Sequence, residues 1–177
     1  MDWTAFETVW HDTGCRTLAD LAAAHPDERL YAAAFHLFYN DGAQILSPAL
    51  AANTEGCAAD DRFAPPEWRW DVLDAASDAM RPWYLRLTEE FLTGADDDEA
   101  VNSLDAAHDA AMARVCRAMT ATARRGGIHA TLPPGFVVVI LEGQRGDEEA
   151  DLIRASVDPE VLPTVPELAS YLRKLDG

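Results

Sequence analysis

The sequence predicts an α+β fold, with a small, mostly antiparallel sheet packed against several helices in one domain. Three observations carry that expectation. Apolar residues recur at helical spacing in separate segments near both ends and in the middle of the chain, and two β-rich stretches, "RLYAAAFHLFY" and "GFVVVILEG", interrupt them. With 177 residues, 49% of them hydrophobic and 25% charged, the chain has the composition of a globular protein. A fold of this length buries about 70% of the surface its unfolded chain exposes. No repeat, low-complexity tract or linker divides residues 1–177, so a single domain is the economical reading.

The first helix is expected from about Trp3 to Ala24, because Trp3, Phe6, Trp10, Leu18 and Leu21 fall near one face. Gly14 weakens its middle and "HPDE" ends it. The next stretch alternates, with Tyr31, Phe35, Leu37 and Tyr39 on one side and Leu30, His36 and Phe38 on the other. Asn40-Asp41-Gly42 reads as a tight hairpin turn, since Asn and Gly tolerate positive φ, and "AQILS" as the return strand, stopped by Pro48. From Ala49 to Pro66 no period is visible, so this segment reads as a long loop. "SPALAANTEG", which leads from the end of that strand into this segment, is an apolar arm that buries nothing predictable. "EWRWDVL" reads as a further short strand with Trp68 and Trp70 on one face and Arg69 on the other.

Two helices follow. Met80, Tyr84, Leu87 and Phe91 stripe the first, which must start just before Pro82. Val101, Leu104, His108, Ala111, Val115, Ala118 and Thr122 make one face over roughly six turns of the second. Asp96, Asp97, Asp98 and Glu99 sit at the positive end of its dipole and Arg124 and Arg125 at the negative end, with Gly126 or Gly127 available as the cap. The β-branched run in "GFVVVILEG" predicts a strand in the middle of the sheet, covered on both faces. A short helix with Ala150, Ile153 and Val157 inward comes next. The last helix opens with the capping-box pattern Thr164-x-x-Glu167 and packs Leu168, Leu172 and Leu175.

Charge is the outlying property. Thirty-one Asp and Glu against 14 Lys and Arg give a net charge of −17, which repels nucleic acid and anionic lipid and favours a cationic partner. Cys15, Cys57 and Cys116 are odd in number and widely spaced, which fits neither a disulfide framework nor a zinc site, so they read as reduced thiols with Cys116 buried. "MDWTAFETVW" has no basic n-region and no apolar h-region, and the run "FVVVIL" is too short to span a bilayer. The expected compartment is the cytoplasm.

Few residues have the makings of catalysis. None of the five histidines lies in H-x-x-x-H or H-E-x-x-H, and no phosphate-binding loop is present. His108, with Asp105 and Asp109 near it in sequence, and His36 could each serve as an acid or base, although a core histidine holding one hydrogen bond explains both more simply. Cys57 sits among acids that raise a thiol's pKa. Helix capping accounts for part of the acidic run at Asp96, Asp97 and Asp98. Further acids at Asp60-Asp61 and Asp147-Glu148-Glu149-Asp151 nonetheless make acidity a property of the whole surface. "PPEWRW" joins two tryptophans to an arginine, a composition enriched at binding hot spots and equally suited to a small core.

An N-terminal helix, then "YAAAFHLFYNDGAQILSPALAANTEG", then "WRWDVLD" leading into a helical middle, and finally "FVVVILEGQRGDEEADLIRASVDPEV" together resemble the bacterial domain-of-unknown-function family numbered 4303, over nearly the whole chain. The resemblance brings no catalytic residues with it. It implies a context: such proteins look like other small acidic α+β proteins, those of the SUKH superfamily among them, found beside polymorphic or contact-dependent toxins as their immunity proteins. The expectation is a non-enzymatic binding protein, with no cofactor or metal, that occludes a basic toxin encoded nearby. Its partner-binding residues would be Glu55, Asp60 and Asp61 in the long loop, with Trp68 as an aromatic anchor if exposed and Asp96, Asp97, Asp98 and Glu148 as secondary anions. Two other expectations stay open, an enzyme using His108 or His36 with a carboxylate, and a homodimer in which the apolar arm packs against a second copy.

Overall fold

The computed structural model describes residues 1–36, 44–57, 62–63, 68–73 and 79–177. The Asn40-Asp41-Gly42 turn and the acids Asp60 and Asp61 lie outside the described residues. Among the described residues there are five α-helices, α1 (Trp3–Ala24), α2 (Arg81–Thr93), α3 (Asp98–Arg124), α4 (Glu149–Ser156) and α5 (Pro166–Leu175), together with four strands, β1 (Leu30–His36), β2 (Ala49–Thr54), β3 (Trp70–Leu73) and β4 (Val137–Ile140). The strands form one sheet in the order β3-β2-β1-β4. Its pairings are antiparallel except for β1 with β4, which run parallel. The fold class is α+β, as the sequence predicts.

The helices start and stop where local chemistry says they should. Asp2 caps α1 by accepting from Ala5 N at 3.1 Å. Pro82 lies in the first turn of α2. Asp97 caps α3, and Gly126, at φ 74°, follows its C-terminus. Gly14 does more than weaken α1. A Cβ there would lie 2.6 Å from Met119 Cε of α3, so the bare backbone leaves room for the buried end of the Met119 side chain. The buried face of α3 passes from His108, Ala111 and Val115 to Cys116, Met119 and Ala123, leaving Ala118 exposed, because α3 packs on α1, β4 and α4 at once. The capping box at α5 does not form. Thr164 Oγ1 donates to Val161 O at 2.6 Å and accepts from Arg124 Nη2 at 2.9 Å, and Val165 stands at the N-cap without a side-chain bond. Leu168 and Leu172 are buried, while Leu175 is exposed.

The sheet departs from expectation at two strands. The partner of β1 is not "AQILS" but Ala49–Thr54, with Ala49 opposite His36 and Thr54 opposite Leu30. The apolar arm is therefore an inner strand, and all six of its residues are buried. A strand covered on both faces needs no polar side, and tertiary packing overrides the weak β preference of alanine and asparagine. Being inside the sheet, it offers no surface to a second copy. The other departure is β4, which is covered on both faces yet lies at the edge. Side chains replace the missing neighbour: Thr120 Oγ1 accepts from Val138 N at 2.9 Å and donates to Val138 O at 3.3 Å. Ser156 Oγ accepts from Ile140 N at 3.0 Å, and Arg124 Nε donates to Phe136 O at 3.1 Å. Helices α3 and α4 thereby close the edge as a fifth strand would.

Two apolar layers flank the sheet. On one side Phe35, Leu50, Val138 and Ile140 meet α1, α2 and α3 through residues such as Phe6, Trp10, Leu87 and Met112. On the other, Ala34, Ala51 and Val139 meet α4 and α5 through Ile153, Leu168 and Leu172, and the aromatic residues Phe63 and Trp68 complete that layer.

Candidate functional site

Glu55 is the first residue beyond β2. Its backbone N–H donates to Arg29 O at 2.9 Å, which extends the β1–β2 pairing by one step and fixes the base of the side chain. Its Oε2 accepts from Arg62 Nη1 at 3.0 Å and Nη2 at 3.1 Å. The Arg62 guanidinium lies 3.9 Å over the Tyr31 ring. Partial burial disfavours its charge, but the bonds and charge of Glu55 outweigh that and hold its pKa above the ordinary value.

A bulge in β1 puts Tyr31 there. Between Leu30 and Ala32 the register slips by one residue, so Tyr31 and Ala32 both face the α4–α5 side. Tyr31 and Phe35, expected on one side, consequently point to opposite faces. Tyr31 OH donates to Arg62 O at 2.7 Å and accepts from Asn53 Nδ2 at 3.1 Å. Trp68 Nε1 donates to the same Arg62 O at 3.1 Å.

Trp68 is only 8% exposed, so it braces this arrangement from inside and is no aromatic anchor. Trp70 belongs to the opposite layer, where it stacks on His25 at 4.2 Å between centroids; the two tryptophans do not share a face. Arg69 lies over Trp70 at 4.9 Å and pairs with Glu28 at 2.8 Å.

Two clefts meet at Glu55. One of about 150 Å³ runs toward α5 and is lined by Tyr31, Arg62, Phe63, Thr164 and Glu167. The other, about 300 Å³ and more open, is lined by Asp27, Glu28, Arg29, Thr54 and Arg69. Neither includes Asp96, Asp97, Asp98 or Glu148, so the expected anions do not converge on one site. Asp97 Oδ1 accepts from Glu99 N at 3.0 Å and Ala100 N at 3.2 Å, while Asp96 and Asp98 are exposed beside it. Glu148 accepts from Arg145 Nε at 2.9 Å, within a cluster in which Arg145 also bonds Asp109 at 2.8 Å. Arg62, Tyr31 and Glu167 escape a reading of the sequence. Glu167 shows there only as a helix-capping residue, and nothing marks the bulge that turns Tyr31.

The candidates for catalysis are shut away. His108 is 2% exposed, its Nε2 stands 3.0 Å from Tyr84 OH, and its ring packs among Trp3, Phe6 and Tyr84. Burial, and secondarily Arg145, push its pKa down to about 3, so it is neutral. His36 is likewise buried. His11 lies 2.9 Å from Asp12 and 3.6 Å from Cys15 Sγ, a cysteine–histidine–aspartate run along α1, but burial and Asp12 push the thiol up to about 11 and keep it protonated. Among the described residues no group of three or more His, Cys, Asp or Glu could hold a metal ion, and no helix is long and apolar enough to cross a membrane. Comparison with family models, curated proteins and solved structures finds no match for this chain.

Proposed function

We propose that the protein is an acidic binding protein that neutralises a basic protein partner by covering it, an immunity protein of the kind the family-4303 resemblance implies. The observation that carries this reading is the sorting of polar chemistry. Carboxylates stand on the surface at Glu55, Asp96, Asp98 and Glu148, whereas His36, His108 and Cys116 are buried and Cys15 is held protonated. The net charge of −17 adds long-range attraction; such steering raises association rates by about 10- to 1,000-fold and fades with salt. The clefts at Glu55, about 150 and 300 Å³, lie at or below the small end of ligand pockets and suit side chains of a partner better than a free substrate.

Co-expression with the product of the adjacent gene tests this. A complex should survive purification, its affinity should fall steeply with salt, and the protein should rescue cells from that product's toxicity. No complex together with no rescue would refute the proposal.

A further inference from the structure

The narrower cleft at Glu55 has a charge left over. Among the described residues its lining holds two carboxylates, Glu55 and Glu167, against one cation, Arg62. Arg62 already gives Nη1 and Nη2 to Glu55. Glu167, exposed in the first turn of α5, is the surplus anion: its charge acts on Arg62 at a distance, but among the described residues no salt bridge occupies it. The floor is aromatic, with Tyr31 and Phe63 set edge to face at 6.5 Å. At about 150 Å³ the space admits the end of one long side chain.

Resting on the binding reading above for the nature of the partner, we propose that this cleft receives an arginine of that partner, its guanidinium set against Glu167 so that two guanidinium groups and two carboxylates balance. Arginine fits better than lysine for three reasons. Its planar fork matches a carboxylate through two bonds, its charge is spread over a flat group that packs against the cleft wall more easily than a compact ammonium, and it gives up hydration more readily. The fixed Glu55–Arg62 pair preorganises one wall, so the arriving group orders little beyond itself.

The test is titration of the full chain with a terminally blocked triarginine peptide and with its trilysine counterpart at low salt. Glu167→Gln is compared with Asp151→Asn, a change of equal charge at a residue 85% exposed on α4 and outside both clefts. The expected result is tighter binding of the arginine peptide to the wild type and a loss of about fivefold in Glu167→Gln beyond any loss in Asp151→Asn, the upper end of an exposed ion pair. Equal losses in the two variants, no preference for arginine, or no measurable binding to the wild type would each overturn the inference. A partner complex that forms normally with Glu167→Gln sinks this inference alone, whereas peptide recognition with neither a partner complex nor rescue sinks only the proposed function.

Discussion

Replacing His108 with Gln should change how stability depends on pH. The wild-type imidazole has its pKa lowered from 6.5 to about 3, first by burial and then by Arg145. Between those values the unfolded chain binds the proton and the folded chain does not, so stability falls as pH falls through that window. The gap of about 3.5, at about 1.36 kcal/mol per unit, amounts to about 5 kcal/mol in full and about 3 kcal/mol by about pH 4.5. Asp109 acts in the opposite sense. Burial raises its pKa from 3.8 to about 6 against the pull of Arg145, so the folded state holds that proton more tightly and gains stability as pH falls through the window. Partial exposure trims its contribution to about 1–2 kcal/mol. Both variants share that gain, and both share the relief of carboxylate repulsion on acidification, but only the wild type carries the imidazole. Denaturant melts from neutral pH down to about 4.5 should show His108→Gln weaker by about 1 kcal/mol at the start, for the altered bond to Tyr84. The difference should then close and reverse, a swing of about 3 kcal/mol that leaves the variant about 2 kcal/mol more stable than the wild type near pH 4.5. A difference that stays constant over the range would refute the claim that His108 is buried neutral.

Thr120→Val keeps the shape of the side chain but strips Val138 of both its edge partners, and urea melts should show a loss of about 1–3 kcal/mol; a neutral result would mean the hydroxyl does not close the sheet. Ser156→Ala should cost a similar amount through the orphaned Ile140 N–H. Trp68→Ala should cost about 3–5 kcal/mol in thermal or denaturant melts, as a core aromatic does, and a variant of undiminished stability that lost only partner affinity would return Trp68 to the surface. In a Cys57→Ser variant the two remaining thiols should react slowly with an aromatic disulfide reagent at neutral pH and quickly in denaturant, since Cys15 is raised to about 11 and Cys116 is fully buried; rapid native labelling of Cys15 would contradict its protonated state.

The helices are legible because their cues are local. The spacing of Phe6, Trp10, Leu18 and Leu21, the place of Pro82 in its first turn, and Asp97 and Gly126 at the two ends of α3 each act within a few residues of where they stand. Strand β2 is illegible for the opposite reason. Ala49, Ala51 and Ala52 carry almost no intrinsic strand preference, and what makes them a strand is the presence of β1 and β3 on either side. The run Val137–Ile140 betrays its burial but not its place at the edge, because Thr120 and Ser156, which seal it, come from helices elsewhere in the chain. Of the candidate site, Glu55 is legible as an acid beyond a strand. The cleft is not, since it joins a bulge in β1, a residue seven positions past Glu55 in sequence, and the first turn of α5.

Moving residues 49–54 from loop to inner strand also changes what Glu55 can do. An acid on a loose arm would lose about 1–2 kcal/mol per ordered backbone residue when it met a partner. Glu55 instead projects from the end of a buried strand, held by its own N–H to Arg29 and by Arg62 stacked on Tyr31, so that ordering is already part of folding. The same arrangement limits what Glu55 gives a partner, since its carboxylate is shared with Arg62 before anything arrives. Neutralising Glu55 would leave a half-buried guanidinium without its main partner and would mix stability with binding. Glu167 is less entangled, since it acts on Arg62 by charge alone and makes no salt bridge among the described residues. It is therefore the residue at which recognition can be separated from folding, even though Glu55 is the one that the strand holds in place.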